Sequence, residues 1–394
     1  MVKLFGQNFT RRDIAAHAGS PSQFFGVRSM VLDDGVERGN RMLEFRTGTG
    51  LRFTVLVDRA MDIGDCEYKG MAVGWHSPAG FRAPGLTDSD ADGGLGLLRA
   101  FSGLLVTCGL DHALGPMTED AAHYNYPFRK SLVQPLHGRV NTVPARLTGY
   151  GEHWENDECI LWCEGIVAQA AMFGENLHLL RRIEAKVGGS EILINDCVVN
   201  RGFSRTPHML LYHVNVGHPL LAAGSRYVAP IRDVLWANQP NDAYRAQAVG
   251  YRVLSDPKAK FVEQVWEHDT VADANGRVPV ALMNDRLGLG FVVETSKAEL
   301  PCQLEWQNLQ AGMYCLGLEP VTHHVLGKPG AMERGEMIWL EHGDERRYHM
   351  TLSVLDGAAE IAAADARIAG IQRQPEEDFP EASGRYPKLH GAAA

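Results

Sequence analysis

The sequence predicts an all-β protein of mostly antiparallel strands with few short helices, and three observations lead to that prediction. Short apolar runs, many of them alternating between apolar and polar residues, dominate the chain. They recur at intervals of roughly 10 to 17 residues, with turn signals such as DDG, TGTG and GGS between them. The chain shows neither strand–helix alternation nor a repeat of fixed period, which disfavours parallel α/β folds, propellers and solenoids.

Six runs carry the clearest strand pattern. They are residues 27 to 33, 41 to 48, 51 to 58, 160 to 170, 177 to 187 and 191 to 200. Helix is predicted near the two ends of the chain. A short helix begins after Thr10, whose hydroxyl can cap it with Asp13 as the reciprocal partner. A longer one spans residues 358 to 371, where spaced isoleucines form an apolar stripe.

Two long irregular stretches, residues 76 to 96 and 111 to 135, interrupt the strands. Loops of this length inside a compact domain are usually functional or disordered. The second is rich in aromatic residues, whose rings can stack on the C–H face of a pyranose. Residues 372 to 394 read as a polar tail that either drapes on the surface or is loose. We therefore predict a single domain over residues 1 to 371, followed by this tail.

Composition and charge exclude several classes of protein. With 45% hydrophobic and 22% charged residues among 394, the chain can bury a substantial core. Its net charge of −10 opposes binding to a nucleic-acid backbone. The amino terminus lacks a signal-peptide core, and no later stretch has the ~18 apolar residues of a membrane helix. We expect a cytoplasmic protein without membrane or nucleic-acid partners, and the sequence leaves a homo-oligomer open.

The cysteines are expected to be reduced and buried. Seven of them, an odd number, are scattered through the chain, mostly in apolar runs. Cys159 and Cys163 have no second Cys/His pair at the spacing of a zinc knuckle.

Polar side chains inside apolar strands are the most informative anomaly, because burying them costs free energy unless they are paired or used. Four segments show it: residues 57 to 63, 136 to 139, 209 to 218 and 314 to 320. In the third, His213 and Asn215 alternate with apolar residues and so face one side together. The fourth is an apolar strand that ends in Glu319. Each polar residue also has a purely structural explanation, such as a salt bridge, a turn or a satisfied core group.

A metal site is the alternative use of these residues. His208, His218, His323 and His324 crowd the last two segments, and with Glu319 they could form a His/carboxylate site. Because adjacent His323 and His324 on a strand would point to opposite faces, we predict no metal site.

The segments VLVDRAMDIG, GLLVTCGLD, LHGR, LLYHVNVGHPLL and YCLGLEP stand in the order typical of one superfamily. Through them the chain resembles the aldose 1-epimerase, or galactose mutarotase-like, superfamily, and more closely its DUF4432 branch, over roughly residues 20 to 356. The resemblance implies a β-supersandwich whose concave face binds a sugar.

The resemblance also implies roles for individual residues. His213 would be the general acid and Glu319 the general base, while His137 would bind substrate and Arg59 a sugar hydroxyl. Gln264, or His268 near it, would replace an aspartate of the superfamily that has no clear counterpart here. The further predicted substrate contacts are Arg139, Asn215, Trp306 and His218, with Trp75 as a second candidate for stacking.

These residue types suit an isomerase that interconverts the anomers of a sugar. Ring opening needs a base at the C1 hydroxyl and an acid at the ring oxygen, and it needs no cofactor. A carboxylate near its normal pKa and a histidine that titrates near pH 7 would serve. An epimerase, isomerase or lyase for an oxidised sugar, with or without a metal, and a non-catalytic sugar-binding protein remain alternatives. Arg59, Arg82 and Arg139 leave an anionic sugar open.

Overall fold

The structure, a computed structural model, describes residues 1 to 389. Strands hold 43% of the residues and helices 14%, so the prediction of an all-β fold with few helices is confirmed. None of the helices in the described range is long and apolar enough to cross a membrane.

Residues 1 to 389 form twenty-four strands: β1 Val2–Leu4, β2 Gln7–Phe9, β3 Gly26–Val31, β4 Arg41–Arg46, β5 Leu51–Leu56, β6 Asp62–Tyr68, β7 Met71–Ala72, β8 Leu105–Leu110, β9 Met117–Asp120, β10 Ser131–Gln134, β11 Arg146–Glu155, β12 Glu158–Ala170, β13 Asn176–Lys186, β14 Glu191–Asn200, β15 Thr206–Val216, β16 Arg226–Val228, β17 Ile231–Ala237, β18 Gln264–Thr270, β19 Arg277–Asn284, β20 Leu289–Ser296, β21 Cys302–Asn308, β22 Cys315–Val321, β23 Ile338–Leu340 and β24 Glu345–Asp356. The α-helices are α1 Arg11–His17, α2 Ala91–Gly94, α3 Asn241–Gln247, α4 Gly327–Glu333 and α5 Ala358–Ile371. Short 3₁₀ turns occupy Pro21–Gln23, Gly35–Glu37, Pro84–Leu86, Gly96–Arg99 and Val140–Thr142.

The predicted elements are confirmed. All six predicted strands form within two residues of their expected bounds, because their alternation matches the faces of the sheets. The first helix begins after Thr10, and Thr10 and Asp13 cap it reciprocally. The long helix α5 has the predicted bounds and buries Ile361 and Ile368.

Three large sheets make up the body of the protein, and their neighbouring strands are antiparallel. The first has eight strands in the order β11-β12-β13-β14-β24-β20-β19-β16. The second has the order β17-β18-β21-β22-β15-β23, and β8 also pairs with β15. The third has the order β3-β4-β5-β6-β7.

The main core lies between these sheets, and the second sheet contributes only one of its faces to it. On β15, Leu210, Tyr212 and Val214 belong to this core. Met209 and Leu211 point the other way, into a separate cluster with Trp75 and other residues of the loops that cover the sheet. We call this second side the outer face. Because it is roofed by loops rather than by a sheet, it has room for a cavity.

A buried ionic network ties the sheets together behind the outer face. The guanidinium of Arg181 on β13 contacts Asp62 on β6 at 3.0 Å and Asp196 on β14 at 2.7 Å. It also donates to Thr107 Oγ1 on β8, and the Tyr212 hydroxyl on β15 donates to Asp196 Oδ2 at 2.6 Å. Charges so deeply buried are tolerated only with such complete pairing.

All seven cysteines are buried and unpaired, as predicted. Burial raises the pKa of each thiol, so they remain protonated.

The described part of the tail, residues 372 to 389, runs along the surface. Ser383 Oγ donates to Asp233 Oδ2 at 2.7 Å, and Pro387 O lies 2.9 Å from His324 Nε2. Leu389 is buried in the outer-face cluster. The division into one domain and a tail stays a prediction, and its last five positions lie outside the described residues.

Candidate active site

The predicted acid and base face each other on neighbouring strands of the outer face. The register that pairs Val214 with Leu318 and Leu211 with Val321 places His213 opposite Glu319. Their side chains are buried, and His213 Nε2 lies 3.0 Å from Glu319 Oε1. The antiparallel register therefore joins two residues that are far apart in the chain.

Gly317 makes room for this pair. A Cβ atom at position 317 would lie 2.5 Å from Glu319 Oε1 and 3.1 Å from His213 Cε1. Any side chain would therefore push the carboxyl group away from the imidazole. This explains the glycine in the segment YCLGLEP, a position to which the sequence pattern assigned no role.

Burial changes the proton affinity of both groups. It raises the pKa of Glu319 to about 8, with a smaller contribution from the Glu263 carboxylate. Burial and the neighbouring His137 hold the pKa of His213 well below its usual range, opposed in part by the side chain of Asn215. The expectation of a carboxylate near its ordinary pKa is therefore wrong. At pH 7 the two groups together hold one proton.

A cavity of about 790 Å³ opens above the pair. Its floor comes from five strands of the second sheet, and its walls come mainly from the loops before and after β8. A cavity of this size and its mostly apolar lining are typical of small-molecule sites. Besides the pair itself, the lining includes Trp75, Pro78, Ala79, Leu95, Leu98, His137, Glu263, Trp306 and Met313.

Aromatic rings surround His213. The centroids of Phe101, Trp306 and His137 lie 4.7, 5.3 and 5.6 Å from the centroid of its imidazole. Trp75 packs edge-on against Trp306 at 6.5 Å. Apolar rings beside a polar pair suit a pyranose, which has an apolar face and a rim of hydroxyl groups.

Two predicted substrate contacts, His137 and Trp306, line the same cavity as the pair. His137 has a left-handed backbone with φ of 58°, and its Nδ1 has no hydrogen-bond partner among the described residues. Burial lowers its pKa to about 4, so the ring is neutral at pH 7. Trp75, the second candidate for stacking, also lines the cavity.

Asn215 supports the site from beside the cavity. It is fully buried, and its Nδ2 donates to the carbonyl oxygens of Gly103 and His213 at 3.1 and 3.2 Å. It thus fixes the strand of the histidine to the loop that carries Phe101. This corrects its assignment as a substrate contact, because the side chain does not line the cavity.

The prediction that Gln264 contacts the substrate is corrected as well, because alternation along β18 turns its side chain to the face opposite Val265. Gln264 pairs with Gln307 across β18 and β21, and both side chains point away from the cavity. His268 shares that interior face, where its Nε2 lies 2.9 Å from Glu305 Oε2. Glu263, just before β18, and Val265 on β18 line the cavity instead.

The two arginines and His218 also lie outside the cavity. Arg59 is buried with its Nε 3.5 Å from Asn141 O. Arg139 is held by Asp90 at 2.7 Å and by Gln134 at 2.8 Å. His218 is exposed. All three lie in turns or bends, where strand alternation does not set the direction of a side chain.

Sequence reasoning missed Glu263 and Phe101. Glu263 Oε2 accepts a hydrogen bond from Trp306 Nε1 at 2.9 Å and so orients that ring. The sequence signal for Glu263 was its spacing of two residues from Val265, which places both side chains on the same face. Nothing in the sequence around Phe101 sets it apart from a core residue.

The histidines of the metal alternative do not meet at Glu319. His208 bonds to Leu110 O and the Tyr348 hydroxyl, at 2.8 and 2.6 Å. Within the described range, the group with ligand spacing suited to a metal is instead Glu267, Cys302 and His324. Its members contact one another, with His324 Nδ1 2.5 Å from Glu267 Oε1 and 3.4 Å from Cys302 Sγ. A structural hydrogen-bond network accounts for this arrangement.

The aromatic loop belongs to a second cavity, of about 800 Å³. Residues 111 to 135 form the hairpin β9–β10, and their Tyr124 and Tyr126 line this second cavity together with Arg139. Only Leu114 and Gly115 of the loop reach the cavity above His213. The loop therefore supplies no aromatic ring to the cavity above His213.

Comparisons with known proteins agree on family and fold. The model of a domain of unknown function, DUF4432, matches residues 37 to 354. None of the curated proteins compared with the chain matches it.

Solved structures similar to this one include three whose names refer to sugar anomers. A Klebsiella pneumoniae protein provisionally named an aldose 1-epimerase has a TM-score of 0.80 at 22% identity, over 92% of this chain and 91% of its own. A galactose mutarotase-like protein from Clostridium acetobutylicum has a TM-score of 0.56 at 11% identity, over 85% and 99%. A Salmonella typhimurium protein provisionally named a mutarotase has a TM-score of 0.51 at 13% identity, over 84% and 94%.

At these identities the likeness establishes the fold and leaves the substrate open. The family model covers most of the chain, and the sheets superpose on those of the galactose mutarotase-like structures. The chain belongs to the DUF4432 family and has the galactose mutarotase-like fold.

Proposed function

We propose that this protein interconverts the anomers of a sugar by general acid/base catalysis with Glu319 and His213. The observation that carries the proposal is the buried pair itself, with 3.0 Å between His213 Nε2 and Glu319 Oε1 in the floor of the cavity. A base and an acid side by side are what ring opening at C1 needs, and the fold analogy supports this use.

A single proton on the pair suffices for the reaction. If the proton passes from Glu319 to His213, the pair becomes a carboxylate base beside an imidazolium acid. The carboxylate then takes the proton of the C1 hydroxyl while the imidazolium protonates the ring oxygen, and the bond between C1 and that oxygen breaks. Rotation about C1–C2 and reversal of these steps close the ring on its other face and restore the pair.

Purified protein is expected to accelerate the approach to anomeric equilibrium of at least one aldose, measured by polarimetry or by saturation-transfer NMR. His213→Asn should lower kcat/KM about 10²-fold, because general acid help is worth about 10² to 10⁴. His218→Asn is the matched control and should leave the rate unchanged, since His218 is exposed and outside the cavity.

Two results would contradict the proposal. One is the absence of any rate above buffer across the aldoses tested. If such a protein still bound sugars, shown by quenching of tryptophan fluorescence, it would be a carbohydrate-binding protein without catalysis. The other is an equal loss of activity in both histidine variants.

The pH dependence is expected to have one edge near pH 8. The pair holds one proton below the raised pKa of Glu319, about 8, and loses it as the pH rises through that value. Without that proton there is a base but no acid, so kcat/KM should fall about tenfold per pH unit above the edge. Independent groups at ordinary pKa values would place the fall near pH ~6.5 instead. Initial rates, corrected for the base-catalysed background, distinguish the two.

A further inference from the structure

The cavity provides no positive charge for an anionic substrate. Its lining, taken from residues 1 to 389, contains no lysine or arginine, and two of its side chains are the carboxyl groups of Glu263 and Glu319. Of the arginines that left an anionic sugar open, Arg59 and Arg139 lie elsewhere, and Arg82 donates to Leu86 O at 3.4 Å. A phosphate or carboxylate would therefore enter without the guanidinium partner that usually binds it.

Several exposed lining residues of the cavity are apolar, beside the exposed polar residues Asn238 and Glu263. Leu95 and Leu98 line the cavity while remaining 38% and 58% exposed. Pro78, Ala79 and Met313 are further apolar lining residues that are at least partly exposed. Single exposed leucines are common on protein surfaces, but several apolar residues around one cavity mark a binding surface.

The cavity is also larger than a simple sugar needs. The twelve non-hydrogen atoms of a hexose fill roughly 360 Å³ even at the loose packing of liquid water, about 30 Å³ per molecule. The cavity of about 790 Å³ is more than twice that size. The remaining space is bounded largely by apolar side chains, so its occupant should be apolar as well.

We propose that the substrate is an uncharged sugar that carries an apolar substituent, an alkyl or aryl group, at a position other than C1. The sugar ring lies over the His213–Glu319 pair, and the substituent contacts Leu95 and Leu98. This inference rests on the proposed function only in requiring a free C1 hydroxyl. A reducing disaccharide would fill the same volume, but its second ring would present hydroxyl groups to the leucines.

The test compares sugars that differ only in their substituent. Glucose, its 3-O-benzyl and 6-O-benzyl ethers, maltose, glucose 6-phosphate and glucuronic acid are followed by anomer exchange and by quenching of tryptophan fluorescence. Trp75, Trp236 and Trp306 line the cavity and make the second readout independent of catalysis. At least one benzyl ether should exceed glucose about tenfold in kcat/KM and in affinity. The phosphate and the glucuronate should fall at least tenfold below glucose.

Leu98→Ser tests the contact directly. It should lower the affinity and kcat/KM for the preferred benzyl ether about fivefold relative to those for glucose. Leu86→Ser is the matched control, because Leu86 is 57% exposed and does not line the cavity. Neither leucine is buried, so folding should not suffer.

The two proposals fail in different ways. If anomers are exchanged but glucose, maltose or an anionic sugar is preferred, or if Leu98→Ser has no effect on the benzyl ether, the substrate inference is wrong and the proposed function stands. If benzyl ethers bind with the expected preference but no anomers are exchanged, the proposed function is wrong and the binding preference stands.

Discussion

Glu319→Gln is expected to lower kcat/KM for anomer exchange about 10³-fold, within the range of about 10² to 10⁴ for general acid/base groups. The amide keeps the shape of the carboxyl group but can neither take the C1 hydroxyl proton nor pass one to His213. The measurement is saturation-transfer NMR, which reads the exchange rate at equilibrium.

Glu305→Gln is the matched control for this change. Glu305 stands on the adjacent strand β21 and is equally buried, but it faces the interior, where it pairs with His268. Burial raises its pKa as well, so replacing a neutral carboxyl group by an amide should leave activity and folding nearly unchanged. If both variants lose activity alike, Glu319 has no special place in the reaction.

The stability of Glu319→Gln separates a catalytic from a structural role. Because the folded state raises the pKa of Glu319 to about 8, the stability due to its protonated form is lost as the pH rises through that value. The amide does not ionise. The variant should therefore melt at a higher temperature than wild type at pH ~9 and at a similar temperature at pH ~4. A lower melting temperature at both pH values would indicate a structural role.

Arg181→Met is expected to destabilise the protein by about 3 to 5 kcal/mol, because the buried carboxylates of Asp62 and Asp196 lose the guanidinium that pairs with both. The network also holds Thr107 and Tyr212, the residue before His213, so activity should fall together with stability. Urea unfolding, followed by tryptophan fluorescence, measures the loss.

The next residue along the chain provides the control. Arg182 lies on the other face of β13, with its side chain 34% exposed and paired with Glu164 and Glu184 at the surface. Arg182→Met should cost less than about 1 kcal/mol, the usual value of an exposed ion pair. Adding Asp62→Asn and Asp196→Asn to Arg181→Met should recover part of the stability, because the unpaired charges are then removed. Equal costs for the two arginines would contradict a special role of the network.

The fold was accessible from the sequence because many strands alternate between apolar and polar residues and so indicate which side chains face the core. His213 and Glu319 stood out because each is a polar residue among the apolar residues of its strand. Arg181 has a comparable signal, since it interrupts the inward series of Leu177, Leu179 and Ile183, but the sequence pattern assigned it no role.

What the sequence could not provide was the position of one strand relative to another. Gln264 and Glu263 are neighbours in the chain, and only the pairing of β18 with β21 decides which of them faces the cavity. The direction of Arg139 depends on its bonds to Asp90 and Gln134, which lie in other segments. The pattern of residues within one segment does not indicate such contacts with other segments.

The seven unpaired cysteines can report local opening of the structure without any added label. They lie on β6, β8, β12, β14, β21 and β22, so the first and second large sheets contain three each and the third contains one. A thiol reagent can reach a buried, protonated sulfur only while the surrounding structure is open. The modification rate of each cysteine in the native protein therefore reads the free energy of opening of its own strand. The modification rate of Cys315, four residues before Glu319 on β22, would show whether a bound sugar makes local opening of the cavity floor less frequent.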